Sequence, residues 1–216
     1  VTTATTEVVD LGAAQPSWSS TGSMVRPRRN LNAVLLPDGT VLAVGGNRGT
    51  ANYDVPVLSA ELYDPASGTW REVAAQQAPR AYHSTAMLLP DGRVLSAGQT
   101  NGTMQTTAEI YSPPYLFAGP RPVITGAPTG IGYGGTFSVG TDRPADIDQV
   151  VLIRPTTVTH GVNFDQRSVA LSFSVQAGGL SVNGPPSSAH APPGRYMLFL
   201  VDDTGVQSVA RWVSVS

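Results

Sequence analysis

Leu35-Leu-Pro-Asp-Gly-Thr-Val-Leu-Ala-Val-Gly-Gly46 returns fifty-three residues later as Leu88-Leu-Pro-Asp-Gly-Arg-Val-Leu-Ser-Ala-Gly-Gln99. In both copies an apolar run meets a Pro-Asp-Gly turn and a second apolar run that ends in small residues. Proline presets φ at the first central position of a turn and Asp-Gly tolerates the tight reversal, so each copy reads as a hairpin. A variable loop follows, then Ala60-Glu-Leu-Tyr-Asp-Pro-Ala-Ser-Gly-Thr-Trp70 in the first copy and Ala108-Glu-Ile-Tyr-Ser-Pro113 in the second. A repeat of about 50 residues made of short strands predicts kelch-type propeller blades, each a four-stranded antiparallel sheet.

Upstream, Glu7-Val-Val-Asp10 followed by Trp18 parallels Glu61-Leu-Tyr-Asp64 followed by Trp70. The chain is therefore expected to begin inside a preceding blade, then to hold one whole blade and most of another. Propellers close with roughly four to eight blades, and repeats bury their faces only against neighbours. Further blades, on another polypeptide or on the N-terminal part of the same precursor, are expected as the partner of these two. The repeat stops after Ser112-Pro-Pro-Tyr-Leu-Phe117. Beyond it, Pro120-Arg-Pro-Val-Ile124 opens a segment without the repeat, whose strand candidates are Thr136 to Val139, Gln149 to Ile153, Val169 to Val175, Tyr196 to Val201 and Arg211 to Val215. Several short strands separated by Gly and Pro suggest an immunoglobulin-like sandwich. The expected fold is thus all-β: blades over residues 1–118, then an immunoglobulin-like (early-set) sandwich over 119–216.

Composition agrees. Of 216 residues, 23 are Gly and 18 are Pro, about a fifth of the chain against about 12% on average; charged residues are 13%. A net charge of −2 without any basic run argues against nucleic acid or an anionic membrane as a main partner. All 13 basic residues are Arg, which reads as genomic base composition. With no cysteine, this chain alone builds no disulfide or thiolate site. No apolar run is long enough for a membrane span. The chain opens at Val1 with neither an initiator Met nor a signal peptide, which points to processed or truncated material.

Where the copies differ, chemistry is the candidate. Counting back six from Leu35 and Leu88 pairs Arg29 with Tyr82 and Asn30 with His83. The second copy thus places two metal-ligand side chains at positions that the template leaves free. The chain has only three histidines: His83, His160 and His190. His160 lies in the polar stretch Val158-Thr-His-Gly-Val-Asn-Phe-Asp-Gln-Arg167, read as a sandwich loop, and metal sites are commonly assembled from such loops. Neighbours on a regular strand point to opposite faces, so Tyr82 and His83 can share a metal only if the backbone leaves strand geometry there. Each has a plainer reading. A lone His is more often a surface or hydrogen-bonded residue, and Tyr82 a packing aromatic. His190, in Ser187-Ser-Ala-His-Ala-Pro-Pro193, reads as a solvated turn residue. Asp165 and Arg167 read as a local ion pair that fixes the His160 loop, and the Asp38 and Asp91 turns as structural.

Taken together, Pro79-Arg-Ala-Tyr-His-Ser84 ahead of the second Leu-Leu-Pro-Asp-Gly, Thr159-His-Gly-Val-Asn-Phe-Asp-Gln-Arg167, Pro193-Gly-Arg-Tyr-Met-Leu-Phe-Leu200 and Gly205-Val-Gln-Ser-Val209 resemble the C-terminal part of copper radical oxidases, the galactose oxidase and glyoxal oxidase family. The likeness covers nearly the whole chain in order. It implies a kelch propeller carrying a mononuclear copper, with the sandwich sending a His-bearing loop up the propeller axis. Carried over, it makes Tyr82 the axial tyrosine and proton acceptor, and His83 and His160 the imidazole ligands. Copper(II) suits such a nitrogen and oxygen set. The resemblance further implies oxidation of a primary alcohol or aldehyde, small or carbohydrate, by O2 to give hydrogen peroxide, outside the cell or at its surface. It also implies a radical on a second tyrosine, thioether-linked to a cysteine. That pair cannot lie in a chain without cysteine, so the expected redox centre is complete only with the N-terminal blades. Two alternatives stand beside the enzyme: a kelch and sandwich binding or cell-envelope module that has lost the redox centre, and a lone sandwich with vestigial blades serving carbohydrate attachment.

Overall fold

The computed structural model describes residues 2–101, 103–160 and 162–216; Val1, Gly102 and the Gly161 that follows His160 lie outside them. The fold is all-β. Arg29–Leu35, Val41–Asn47, Ser59–Asp64 and Thr69–Ala75 pair in sequence order as a four-stranded antiparallel meander, one whole blade. Ser84–Leu88, Val94–Gly98 and Ala108–Tyr111 repeat its first three strands. Ahead of both, Glu7–Val9 pairs with Trp18–Ser20, setting Val9 against Trp18 as Tyr63 is set against Trp70. The chain thus begins with the outer two strands of a further blade.

The Pro-Asp-Gly turns close identically. Gly39 donates its N–H to Leu36 O and Gly92 to Leu89 O, while Leu36 and Leu89 bond across to Thr40 and Arg93. Gly39 and Gly92 have φ of 84 and 85°, so each loop is a three-residue hairpin ending in a left-handed glycine. Asp38 and Asp91 accept the N–H two residues on, from Thr40 and Arg93, which is the structural role expected of both.

Beyond the short helical turn Pro114–Phe117 lies a two-sheet sandwich. One sheet runs Ile124–Gly126, Thr136–Thr141, Gly179–Asn183, Phe173–Gln176; the other runs Gly130–Ile131, Arg211–Val215, Gly194–Asp202, Ile147–Arg154, Arg167–Leu171. The single strand expected over Val169 to Val175 is two. It breaks at Ser172, and its halves join opposite sheets. Ser172 O accepts from Asn183 N–H, so the crossing residue keeps its backbone bond.

Ile147–Arg154 and Gly194–Asp202 bury both faces. Val150, Leu152, Tyr196, Leu198 and Leu200 fill the sandwich. Their neighbours Val151, Ile153, Met197, Phe199 and Val201 join Val34, Leu36, Leu42, Val44, Ala86, Leu88 and Val94 of the blades in a second core. Two-sided burial explains why these strands are unbroken apolar runs instead of alternating ones. Tyr115 completes the joint: its ring is buried in the shared core, and its hydroxyl donates to Gly92 O at 2.6 Å.

The blades also touch backbone to backbone. Gly46 N–H donates to Arg80 O at 2.6 Å, and a Cβ on Gly45 would collide with that same oxygen. Gly45 also sits at φ 72°. Replacing Gly45 by Ala is therefore expected to cost about 2–4 kcal/mol, whereas Gly39→Ala, whose Cβ would meet nothing within 4 Å, should cost only about 1–2 kcal/mol for the left-handed backbone. Denaturant unfolding of the two variants measures the difference; equal losses would disprove the close approach.

Candidate metal centre

In each blade, a buried arginine ties the third strand to the segment entering the innermost one. Arg28 donates to Gly45 O at 3.0 Å and to Glu61 at 2.6 Å, with both side chains fully buried. Glu61 also accepts the N–H groups of Val25 and Arg26. Burial pushes the Arg28 guanidinium below its ordinary pKa even against the Glu61 charge. The second blade repeats the device: Arg80 donates to Gly98 O at 3.0 Å and to Glu109 at 3.3 Å, and Glu109 accepts from Gln77 and Ala78. Breaking such a pair leaves a buried charge alone.

Arg80 thereby fixes the chain one residue before the divergent turn. Ser84 N–H bonds to Ala81 O at 3.0 Å, which puts Tyr82 and His83 at the two central positions of a β-turn. His83 has φ 65°, as the second central residue of a type II turn requires. The turn supplies the departure from strand geometry that a shared metal demands. Tyr82 and His83 stack at 4.1 Å between ring centroids, 27° apart. The aligned position in the first blade, Asn30, has φ 56°. The template holds this site left-handed, where Asn is tolerated and His is strained.

His160 arrives from the other domain. Val158–Thr159 and Val162–Asn163 form a small antiparallel ribbon with His160 at its tip, at φ 56°. The ribbon is braced at its base by Arg154 and Asp165, 2.7 Å apart. This corrects the expected pairing of Asp165 with Arg167: Arg167 instead donates to the carbonyls of Ala189 and His190, because its strand runs beside that turn. Gln166 clasps the innermost strand of the first blade, accepting from Leu35 N–H at 2.9 Å and donating to Ala33 O at 3.3 Å. The loop is thereby held along the innermost strand of the first blade.

The result is a cluster of the three expected residues. The imidazoles of His83 and His160 meet edge to face at 4.7 Å, and Tyr82 stands 5.8 Å from His160. Thr159 Oγ1 lies 2.6 Å from His160 Nδ1, which engages that nitrogen and leaves Nε2 as the ring's other donor atom. A cavity of about 270 Å³ opens here, lined by His83, Ser84, Thr85, Val158, Thr159 and His160. Both histidines are exposed and Tyr82 is half-buried. A larger cavity, about 400 Å³, lies between the blades with small and apolar walls such as Val44, Ala60 and Ile110, and it holds none of the three. Among the described residues no group of three or more His, Cys, Asp or Glu side chains is arranged to hold a metal ion. The cluster is instead two imidazoles and a phenol, a donor set that suits copper(II). His190 stands apart, exposed, with Nδ1 3.0 Å from Ser187 Oγ.

Sequence reading misses four contributors. The Arg28 and Arg80 anchors are signalled by the Pro-Arg pair ahead of each innermost strand. Gln99 stands where the first copy has Gly46. Tyr53, from the variable loop of the first blade, brings its ring within 6.2 Å of Tyr82 and carries no sequence signal.

The chain resembles known proteins along nearly its whole length. Residues 2–114 match the family model described as glyoxal oxidase N-terminus, and residues 121–215 match the galactose oxidase-like early set domain. The chain belongs to the galactose oxidase and glyoxal oxidase family. It is 36% identical over 197 residues to a galactose oxidase of Gibberella zeae, covering 85% of this chain and 29% of that protein. It is 32% identical over 239 residues to an aldehyde oxidase of Arabidopsis thaliana, covering 96% and 38%. The solved structure of a fungal alcohol oxidase in complex with copper superposes with a TM-score of 0.91 at 30% identity, over 99% of this chain and 48% of that one. The chain thus spans about a third of the length of these curated relatives.

The Arg80 anchor yields a pH prediction. Burial alone would raise the Glu109 carboxyl, but the N–H groups of Gln77 and Ala78 and the Arg80 charge bring it below its ordinary value. A depressed folded-state pKa contributes stability that is whole above the unfolded glutamate value of about 4.3 and is lost as pH falls through the folded value. Glu109→Gln should therefore lower stability near neutral pH and flatten its acid dependence below about pH 5, read by thermal melts across pH. An unchanged acid limb in the variant would remove Glu109 from that role.

Proposed function

We propose that this chain forms one wall of the active site of a secreted or cell-surface copper radical oxidase, which oxidises a primary alcohol or aldehyde with O2 and yields hydrogen peroxide. The observation that carries the reading is the meeting of Tyr82, His83 and His160 from two domains, with both histidines on left-handed backbone and lining one cavity. Such strain is kept where surrounding structure enforces it, and it concentrates at functional sites. The names of the relatives, galactose oxidase, aldehyde oxidase and alcohol oxidase, supply the substrate class.

In this reading His160, His83 and the Tyr82 oxygen would hold copper, which would supply Lewis acidity and a one-electron redox couple. Tyr82 is the catalytic base. A phenol titrates near 10 in water, so its phenolate beside a cation is basic enough to take the proton of a substrate hydroxyl. His83 and His160 fix the geometry. Arg154, Asp165 and Gln166 hold the His160 ribbon in register with the blades.

The other wall, with a tyrosine cross-linked to a cysteine as the radical site, would come from propeller blades preceding this chain, which itself has no cysteine. The exposure of both histidines supports a facing wall, as does the three-stranded second blade beside a four-stranded first one. Residues 1–118 would then be the last blades of a kelch propeller and 119–216 the sandwich that caps it.

In the complete protein, His160→Ala should reduce copper loading to near background, because two remaining donors hold the ion poorly. Copper content and peroxide production that survive His160→Ala would refute the ligand set. Tyr82→Phe should retain copper while turnover falls by roughly 10²–10⁴-fold, the usual contribution of a positioned proton acceptor. Full turnover in Tyr82→Phe would remove it from the mechanism. Intact mass analysis of the wild type should find a Tyr-Cys cross-link outside this chain; its absence would favour the non-catalytic module.

A further inference from the structure

Gln99 occupies a place that the blade template reserves for glycine. In the first blade Gly46 takes φ 89° and a Cβ there would lie 2.6 Å from Arg29 O. Gln99 adopts φ 105° in the aligned position, a conformation that L side chains other than Gly rarely take. Its side chain is almost fully buried, at 2% exposure. The carboxamide oxygen accepts the backbone N–H of Ala81, the residue that opens the turn carrying Tyr82 and His83, while its Nε2 is buried without a partner among the described residues. Left-handed strain and an unsatisfied buried donor are both unfavourable, and the first blade avoids both at this position by carrying Gly46.

We propose that Gln99 is a positioning residue for the Tyr82 and His83 pair. Arg80 secures the chain on one side of the turn through Gly98 O and Glu109. Ser84 secures the other through Ala81 O and through Asn32, whose side chain donates to Ser84 Oγ at 2.9 Å. The Ala81 N–H lies outside the strand ladder, and Gln99 captures it. With that bond in place the Arg80–Ala81 peptide plane, which leads into the turn, has one orientation, and with Ala81 O held by Ser84 N–H the phenol and imidazole leave the turn in a fixed relation. A glycine at position 99 would relieve the strain but leave the Ala81 N–H unheld. The reading rests on the copper assignment above for its consequence, though not for its geometry.

The test uses the complete protein with Gln99→Met, which keeps the bulk and removes the acceptor, and Gln99→Glu, which keeps an acceptor oxygen. Hydrogen exchange at the Ala81 amide should accelerate about tenfold in Gln99→Met, the effect of losing one hydrogen bond, and stay near wild type in Gln99→Glu. Affinity for added Cu(II) should fall by about 10–100-fold in Gln99→Met, as for other groups that orient a ligand, with an altered Cu(II) paramagnetic resonance spectrum that Gln99→Glu restores. Unchanged Ala81 exchange in Gln99→Met overturns the proposal. So does faster exchange with unchanged copper affinity and spectrum, which would leave Gln99 a purely structural anchor. A wild-type protein that binds no Cu(II) would instead sink the metal assignment, and the exchange comparison alone would then decide whether Gln99 holds the turn.

Discussion

Two strands that are buried on both faces hold this molecule together. Ile147–Arg154 and Gly194–Asp202 offer alternate residues to the sandwich interior and to the blades, so neither unit can shift against the other without exposing apolar surface at about 25 cal/mol for each Å². That constraint sets where the chain stands when it leaves Arg154. From there it runs into the small ribbon, in which Val158 faces Asn163 and Thr159 faces Val162, and the His160 tip is delivered beside the innermost strands of the blades. The position of His160 is precise because the base of its ribbon is part of a shared core.

The other half of the site depends on charge. A fully buried arginine is expensive unless it is paired and hydrogen-bonded. Arg28 and Arg80 meet both conditions, each with a third-strand glutamate and a second-strand carbonyl. The same device does different jobs in the two blades. In the first it closes a structural repeat; in the second it secures the segment immediately before Tyr82 and His83. Around it the template is bent to the site's needs: Asn30 becomes His83 and Gly46 becomes Gln99 at positions where the backbone is already left-handed. The fold supplies the unusual backbone, and the second blade puts an imidazole and a carboxamide on it.

Much of this is legible in the chain. The Pro-Asp-Gly repeats mark the blades, the parallel between Glu7 to Trp18 and Glu61 to Trp70 marks the partial blade, and Tyr82 and His83 stand out against Arg29 and Asn30. Other parts are not. The break at Ser172 is hidden because Val169 to Val175 is apolar enough for one strand, and only the separation of the two sheets divides it. Arg167 lies two residues from Asp165 in sequence and looks like its partner, but the fold brings Arg154 to it instead. Gln99 stands opposite Gly46 when the copies are aligned, but the sequence does not show that the backbone stays left-handed there once glycine is replaced.

By itself the sequence determined the repeat, the turn chemistry, the all-β class and the residue types able to bind copper, because these depend on local preference and on comparing one copy with the next. Tertiary structure alone decided that His160 meets Tyr82 and His83, that two arginines and a glutamine hold the meeting place, and that two strands serve two cores. Those outcomes depend on burial and on contacts between distant residues such as Leu35 and Gln166, 131 positions apart, and distance along a chain carries no record of which side chains close packing will bring together.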